Sequence, residues 1–431
     1  VTPIGGCPSF AGAVLYLQTR EITAPAKLGQ PPVDEYTTFV PRRIFITVAE
    51  VSGDKHAAAL IRSLKSMEPD VIIEGLGGPQ MQSAGANLLH NTVTGAAMGW
   101  RGALRALEVA RWMKQVRAHY QSNKPDLHIC IDSSAMNLPF AKLAKSFGVP
   151  VLYYIAPQLW ASREGRMNKL RRDVDAVASI VPFEEPYFRQ HGVNATFVGH
   201  PLFDQISAPH ARDGEARFPD HPPIVGVIPG SRKSEVKQNL PHLIEVAKRI
   251  RDEFPNARFL IPTTPAVHST VLEFMEKHSG SSFLVHLNDN LPKARGPFTI
   301  KQDAFDEFVP QCDLCLTKSG TSTVHVAAYH VPMIVVYRIN PILWHLAARW
   351  LIKTKKIAMV NILAGQIDLV PEFIPWYGSN EPVAKCAIDL LNHPEKLEEQ
   401  RRKLRELMAT LDKPGASMNA AKLAIELMDE K

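Results

Sequence analysis

The sequence contains no apolar run approaching the ~20 residues that a helix needs to cross a bilayer, so no transmembrane span is predicted. The N-terminal "SFAGAVLYL" is short and lacks a basic leader, which makes it a poor secretory signal. Cysteine is scarce: five in 431 residues, at positions 7, 130, 312, 315 and 386. Cys312 and Cys315 form a lone CxxC with no second ligand pair at zinc-site spacing, which argues for two reduced, buried thiols in "CDLCLT". Few and scattered cysteines fit a cytoplasmic compartment. The net charge of +6 is too small to demand nucleic acid, though it suits anionic substrates or an anionic membrane surface. Two nucleotide motifs are also missing. GxxxxGK[ST] is absent and no GxGxxG follows the first strand pattern, so the ATPase and dinucleotide-dehydrogenase readings lose their main support.

What is present describes a globular α/β protein. The length allows about two domains, and 45% hydrophobic with 21% charged residues is ordinary. Residues 1–41 are Pro/Gly-rich and irregular and are set aside as an N-terminal extension. From residue 42 short apolar runs alternate with helical patterns: "RIFITVA", "VIIEGLG", "LHICID", "PVLYYIA", "AVASIVP" and "ATFVG" read as buried parallel strands. Such alternation predicts a doubly wound sheet over 42–206. The polar, Pro-rich stretch 207–223 reads as a linker. A second series over 224–390 contains "PIVGVIP", "ARFLIPT", "SFLVHL", "DLCLT" and "PMIVVYR", and helices close the chain over 391–431. The expectation is two Rossmann-like parallel-sheet domains facing a cleft.

Ligands in such sheets bind at strand carboxyl ends, which selects the residues that matter. In the second half, Gly230-Ser231-Arg232 follows one strand, and Lys318-Ser319-Gly320-Thr321 follows another and opens a helix. Free N–H groups, small hydroxyl residues and a guanidinium suit a phosphate. One such turn is equally an ordinary capped βα turn, but two in one domain point to a diphosphate. In the first half, "AEVSGDKH" places Glu50, Ser52, Asp54 and His56 around a glycine turn, with Asp54 also a natural helix cap. Asp132 ends the third strand, where a general base would face a ligand hydroxyl, or a carboxylate would tie up loop N–H groups. Asp173 and Asp175 precede their strand, at the wrong end of the sheet for a substrate-bound metal. Residues 99–120 mix Trp100, Leu104, Leu107, Trp112, Met113 and Val116 with five basic residues, the pattern of an interfacial membrane helix or of a packed helix with a basic outer face. A second candidate of this kind is "NPILWHLAARWLIKTKK".

In order along the chain, "AEVSGD", "GGPQMQSAG", "AMG", "ID....N", "YIAPQLWA", "PFE", "VGHPL", "PGSR", "SGT", "YRINP" and "NILAG" resemble the lipid-A-disaccharide synthase family of inverting GT-B glycosyltransferases, from about residue 42 to the C-terminus. The resemblance implies transfer from UDP-2,3-diacylglucosamine to 2,3-diacylglucosamine 1-phosphate (lipid X), giving a β-1,6-linked disaccharide and UDP. It implies no metal and no cofactor, since the UDP-sugar is a substrate. It also implies a peripheral position at the cytoplasmic face of the inner membrane, and a possible homodimer. On this basis Gly230, Ser231, Arg232, Ser319, Gly320, Thr321, His325 and Asn361 hold the UDP donor, Asp132 is the base, and Glu50, Ser52, Asp54, Met98 and Gly99 shape the acceptor side.

The chain departs from the family pattern at that inferred site. His325 stands where a ribose-binding Glu is usual, Ala135 replaces a second aspartate, Ala49 replaces the Gly of "GE", and Ser162 a second Trp. A neutral imidazole accepts one hydrogen bond and lacks the bidentate grip of a carboxylate. The alternatives left open are another UDP-sugar enzyme of the same architecture, such as a glycolipid transferase or a UDP-N-acetylglucosamine 2-epimerase, and a weakly catalytic nucleotide-sugar or lipid binder.

Overall fold

The structure, a computed structural model, describes residues 41–93, 102–160, 164–206, 218–278, 285–286, 296–338 and 354–430. Met98 and Gly99, most of the linker, and most of the second candidate membrane segment lie outside the described residues.

The first domain is one parallel sheet of seven strands: β1 Arg43–Val48, β2 Ile72–Gly77, β3 Asn87–Asn91, β4 Leu127–Ile131, β5 Val151–Tyr154, β6 Ala176–Ser179 and β7 Ala195–Phe197. Their order is β3-β2-β1-β4-β5-β6-β7, so the chain reverses direction across the sheet between β1 and β4. The second domain repeats the plan with β8 Ile224–Ile228, β9 Arg258–Thr263, β10 Val285–His286, β11 Phe298–Gln302, β12 Leu314–Lys318, β13 Met333–Arg338 and β14 Glu372–Trp376. Here the order is β10-β11-β9-β8-β12-β13-β14, and the reversal falls between β8 and β12. The central strands are apolar almost throughout because helices cover both faces; β4 and β5 are buried at every residue. Cys312 and Cys315 are free and buried, as their setting in and beside β12 predicts.

Two apolar layers sandwich each sheet. On one side of the first, the helix Val51–Met67 packs Ala57, Leu60, Ile61 and Leu64 against Ile44, Ile46 and Val48. On the other, the helix Gly102–Ser122 contributes Trp112, Val116 and Tyr120 to a layer with Phe45, Phe140 and Tyr153. Trp112 and Val116 therefore face the core and not a lipid surface, whereas Leu107, Arg111, Lys114 and Arg117 are exposed. Asp173 and Asp175 are taken up locally: Arg172 grips Asp173, while Asp175 accepts from Lys145 and from the Val151 N–H.

The chain crosses between the domains twice. Helices Glu381–Asn392 and Pro394–Leu411 stay on the second domain. The last helix, Ala416–Asp429, returns to the first, where Ala420, Ala421, Ala424, Leu427 and Met428 join the core layer of β1. The return is pinned by Asp204, whose carboxylate accepts the N–H groups of Gly415, Ala416 and Ser417 at 2.9–3.1 Å. Lys413 Nζ donates to the Phe197 carbonyl and Asn419 Nδ2 to that of Val198.

Candidate active site

Ligands of open α/β sheets bind outside the carboxyl ends of the strands, at the point where strand order reverses. In the first domain that point holds Glu50 and Ser52 after β1 and Asp132 after β4. In the second it holds Gly230, Ser231 and Arg232 after β8 and Lys318 to Thr321 at the end of β12. The two points meet: Arg232 Nη2 lies 3.6 Å from Glu50 Oε2, across the cleft. Both side chains are about half exposed, so this pair is solvent-screened and weak.

Asp132 sits in a left-handed backbone conformation with φ 56°, followed by Ser133 at φ 23°. A non-glycine residue is uncommon there and needs its surroundings to hold it. They do. Asp132 N–H donates to the Tyr154 carbonyl, and the Asp132 carbonyl accepts from Tyr153 Oη at 2.6 Å and Asn137 Nδ2 at 2.9 Å. Asn137 is itself the end of a buried chain. Tyr120 Oη is 2.6 Å from His128 Nδ1, His128 Nε2 is 3.0 Å from Thr47 Oγ1, and Thr47 donates to Asn137 Oδ1 at 2.8 Å. With the Thr47 proton directed at Asn137, His128 must donate from Nε2 and accept at Nδ1 from the tyrosine, so each group has one role. Burial alone pushes His128 down to about 3, which keeps it neutral and the polarity fixed.

The Asp132 carboxyl is pushed above the usual aspartate range, first by burial and then by Glu50, with the Ser133 N–H and Arg232 opposing. A carboxylate held largely out of water beside a second carboxylate is a stronger base than a free aspartate.

Across the cleft, Glu235 organises the cations. It lies in the first turn of the helix Lys233–Glu253 and is buried. Its Oε2 accepts the Ser231 N–H at 3.2 Å, and its Oε1 accepts from Arg232 Nη1 at 3.2 Å and Lys318 Nζ at 3.0 Å. Burial by itself would raise the Glu235 carboxyl, but Lys318 and Arg232 override it and hold it below the usual range. Lys318 Nζ also lies 5.1 Å from the centre of the Tyr337 ring. Gly230 makes this close packing feasible. Its φ is 124°, and a Cβ there would stand 2.7 Å from Glu235 Oε2 and 2.8 Å from its Cβ. Gly230→Ala should therefore displace Glu235 and loosen its bonds to Arg232 and Lys318, destabilising the protein by about 1.5 kcal/mol, the scale of one charge-assisted bond; the denaturant midpoint reads the change.

Ser319 and Thr321 flank Gly320 at the start of the helix Thr321–Ala328. Ser319 N–H is bonded to the Val336 carbonyl. His325, further along that helix, stacks on Phe305 at 4.3 Å and on Tyr329 at 5.7 Å, with Nε2 2.7 Å from Asp306 Oδ1. Burial lowers it below the ordinary histidine range despite Asp306. His200 is pushed down to about 4, chiefly by burial, with His56 and His325 adding to the effect.

Two of the sequence-derived residues have their side chains fully engaged elsewhere. Asp54 accepts the N–H groups of Gly78, Gln80 and Met81 at 2.9–3.1 Å, so it caps the short helix after β2 and not the helix that carries it. Asp54→Ala would leave three N–H groups without that partner in a buried site and should destabilise the protein by about 2 kcal/mol; the denaturant midpoint measures it. Asn361 is fully buried, with Nδ2 donating to the Val370 carbonyl and Glu372 Oε2, and Oδ1 accepting the Val370 N–H. Glu372 in turn accepts the N–H groups of Ile357 and Ala358 at the start of the helix Met359–Leu363.

Glu235 and the Tyr120–His128–Thr47–Asn137 chain were not singled out from sequence. Glu235 follows Arg232 by three residues at a helix start, a spacing that pairs side chains on one helical turn. The buried chain has no local signal, since its members come from β1, β4 and two helices.

Two doubly wound parallel domains with facing switch points make up a GT-B-like architecture. Solved structures of that shape match nearly the whole chain: a Staphylococcus aureus MnaA–UDP co-structure (TM-score 0.60, 13% identity, 91% of this chain and 99% of that one) and Acinetobacter baumannii MurG (TM-score 0.55, 13% identity, 90% and 100%). The Lipid-A-disaccharide synthetase family model matches residues 44–426, and the chain belongs to that family. It is 35% identical over 390 residues to the lipid-A-disaccharide synthase of Nitrosococcus oceani, covering 90% of this chain and 96% of the relative. It is 33% identical over 397 residues to that of Trichlorobacter lovleyi, covering 90% and 98%.

Proposed function

We propose that the chain transfers 2,3-diacylglucosamine from its UDP derivative to the 6-hydroxyl of 2,3-diacylglucosamine 1-phosphate, with inversion at the anomeric carbon. Asp132 takes the hydroxyl proton as the oxygen attacks, and UDP departs toward Arg232, the Gly230-Ser231 turn and the N-terminus of the helix after Gly320. Negative charge growing on the leaving diphosphate is met by these fixed donors in a partly desolvated cleft. The observation that carries the reading is the 3.6 Å approach of Arg232 to Glu50, which sets the anion site of one domain against the carboxylates of the other. Asn361 and Asp54 serve by holding loops, and His325 takes the position of the expected ribose contact with Asp306 behind it.

Acyl-chain entry from an inner-membrane surface is supported by the exposed Leu107, Arg111, Lys114 and Arg117 on one helix, an apolar residue beside basic ones. Among the described residues no helix is long and apolar enough to cross a membrane. The deciding experiment measures UDP release in detergent micelles from UDP-2,3-diacylglucosamine with and without lipid X. Acceptor-dependent release with a disaccharide seen by mass spectrometry is expected. Folded protein that releases no UDP, beside an active control enzyme, would refute the transferase reading.

A further inference from the structure

We propose that Lys318 is a second cation for the donor diphosphate, delivered by Glu235 beside Arg232. The inference rests on the UDP-site reading and adds a residue to it. Lys318 ends β12, the strand that pairs with β8, so the register of the sheet brings its Nζ to the turn that carries Arg232. Both cations bond the same Glu235 oxygen, Arg232 at 3.2 Å and Lys318 at 3.0 Å, and are thereby held side by side. Glu235 is one negative charge against two positive ones. Among the described residues, Glu50 from the opposite domain approaches Arg232 at 3.6 Å, with Asp132 beyond it as a second carboxylate. A buried carboxylate needing one partner would be satisfied by Arg232 and the Ser231 N–H, so the added lysine gives the second domain's side of the cleft one positive charge more than Glu235 neutralises.

Its setting suits a phosphate. Lys318 Nζ stands 3.3 Å from where a Cβ at Gly320 would be, so the ammonium borders the bare backbone that opens the following helix. The Tyr337 ring, 5.1 Å from Nζ, gives the ammonium a cation–π neighbour. An ammonium on a flexible stem is a point donor that can swing from Glu235 to a phosphate oxygen and still be guided by both. As the glycosidic bond breaks, the electron pair moves to the β-phosphate oxygen, and a cation there lowers the energy of the charge that develops.

Lys318→Met removes the charge while keeping most of the length. Isothermal titration of parent and variant with UDP and with uridine tests the assignment, alongside kcat/KM for the transfer. The expected result is about a tenfold loss in UDP affinity, uridine affinity within twofold of the parent, and a lowered kcat/KM. Equal UDP affinity in parent and variant overturns the role of Lys318 and leaves the UDP site standing. Parallel losses for UDP and uridine also overturn it, because a lysine that merely steadies Glu235 would disturb the whole pocket. A parent that binds no UDP at all defeats the nucleotide-site reading itself and this inference with it.

Discussion

Asp132→Ala lowers the turnover number by about three orders of magnitude, within the range for loss of a general base, while UDP affinity stays within a few-fold of the parent. The two readouts separate because Asp132 belongs to the first domain and the proposed diphosphate site to the second. In the proposed reaction the carboxylate accepts the proton of the attacking hydroxyl, and alanine offers nothing in its place. The backbone should hold: its φ of 56° is fixed by bonds to the Asp132 carbonyl and N–H, none of which involves the side chain. Asp132→Asn tests the base role with shape retained and should be nearly as inactive. In the parent, the pH dependence of kcat/KM should carry the signature of the buried group. The basic form is required, so the rate falls as pH drops through the Asp132 pKa. Burial and Glu50 raise that pKa, so the acid limb lies at higher pH than a free aspartate would give. Glu50→Gln removes one of the two causes and should move the limb to lower pH. Unchanged turnover in Asp132→Ala would remove the residue from the mechanism.

Arg232→Ala weakens UDP binding by about 100-fold, the scale of a lost charge-assisted bidentate contact in a partly desolvated site, with a comparable loss in kcat/KM. Truncation also releases Glu235 from one of its two cations and Glu50 from its cross-cleft partner. Lysine should recover only part of the affinity, because an ammonium cannot span two oxygens as a planar guanidinium does. Calorimetric titration of UDP reads both variants. Affinity equal to that of the parent would place the diphosphate elsewhere in the cleft.

The fold was legible where burial is continuous. "LHICI" and "VLYY" are apolar at nearly every position because both faces are covered, and short runs rich in β-branched and aromatic residues suit such a strand. Three strands escaped. β3 and β14 are edge strands whose residues are mostly half exposed, and Pro375 is tolerated in β14 because an edge strand can spare an N–H. β11 reads only as the brief alternation "FTIKQ", with two of five residues buried. The strand ends were informative because topology alone sends ligands there, which brought forward Asp132, Arg232 and the turn at Gly320. Asp54 and Asn361 looked equally suitable in sequence. Their carboxylate and amide are consumed by backbone groups 9 to 27 residues away, which no local pattern reveals. The Glu235–Lys318 pair spans 83 residues and exists only through the pairing of β8 with β12.

The returning helix Ala416–Asp429 makes the first domain non-contiguous in sequence. Cutting the gene at the linker would yield a fragment lacking the helix that packs on Val51–Met67 and on β4, β5 and β6; such a fragment is expected to aggregate on expression. An isolated first domain has to be made as a fusion, with residues 414–430 rejoined to a point shortly after Asp204. For the same reason, removing residues 416–429 would open the first domain before the second. During synthesis on the ribosome, the hydrophobic layer of the first domain cannot close until residues 416–429 have emerged.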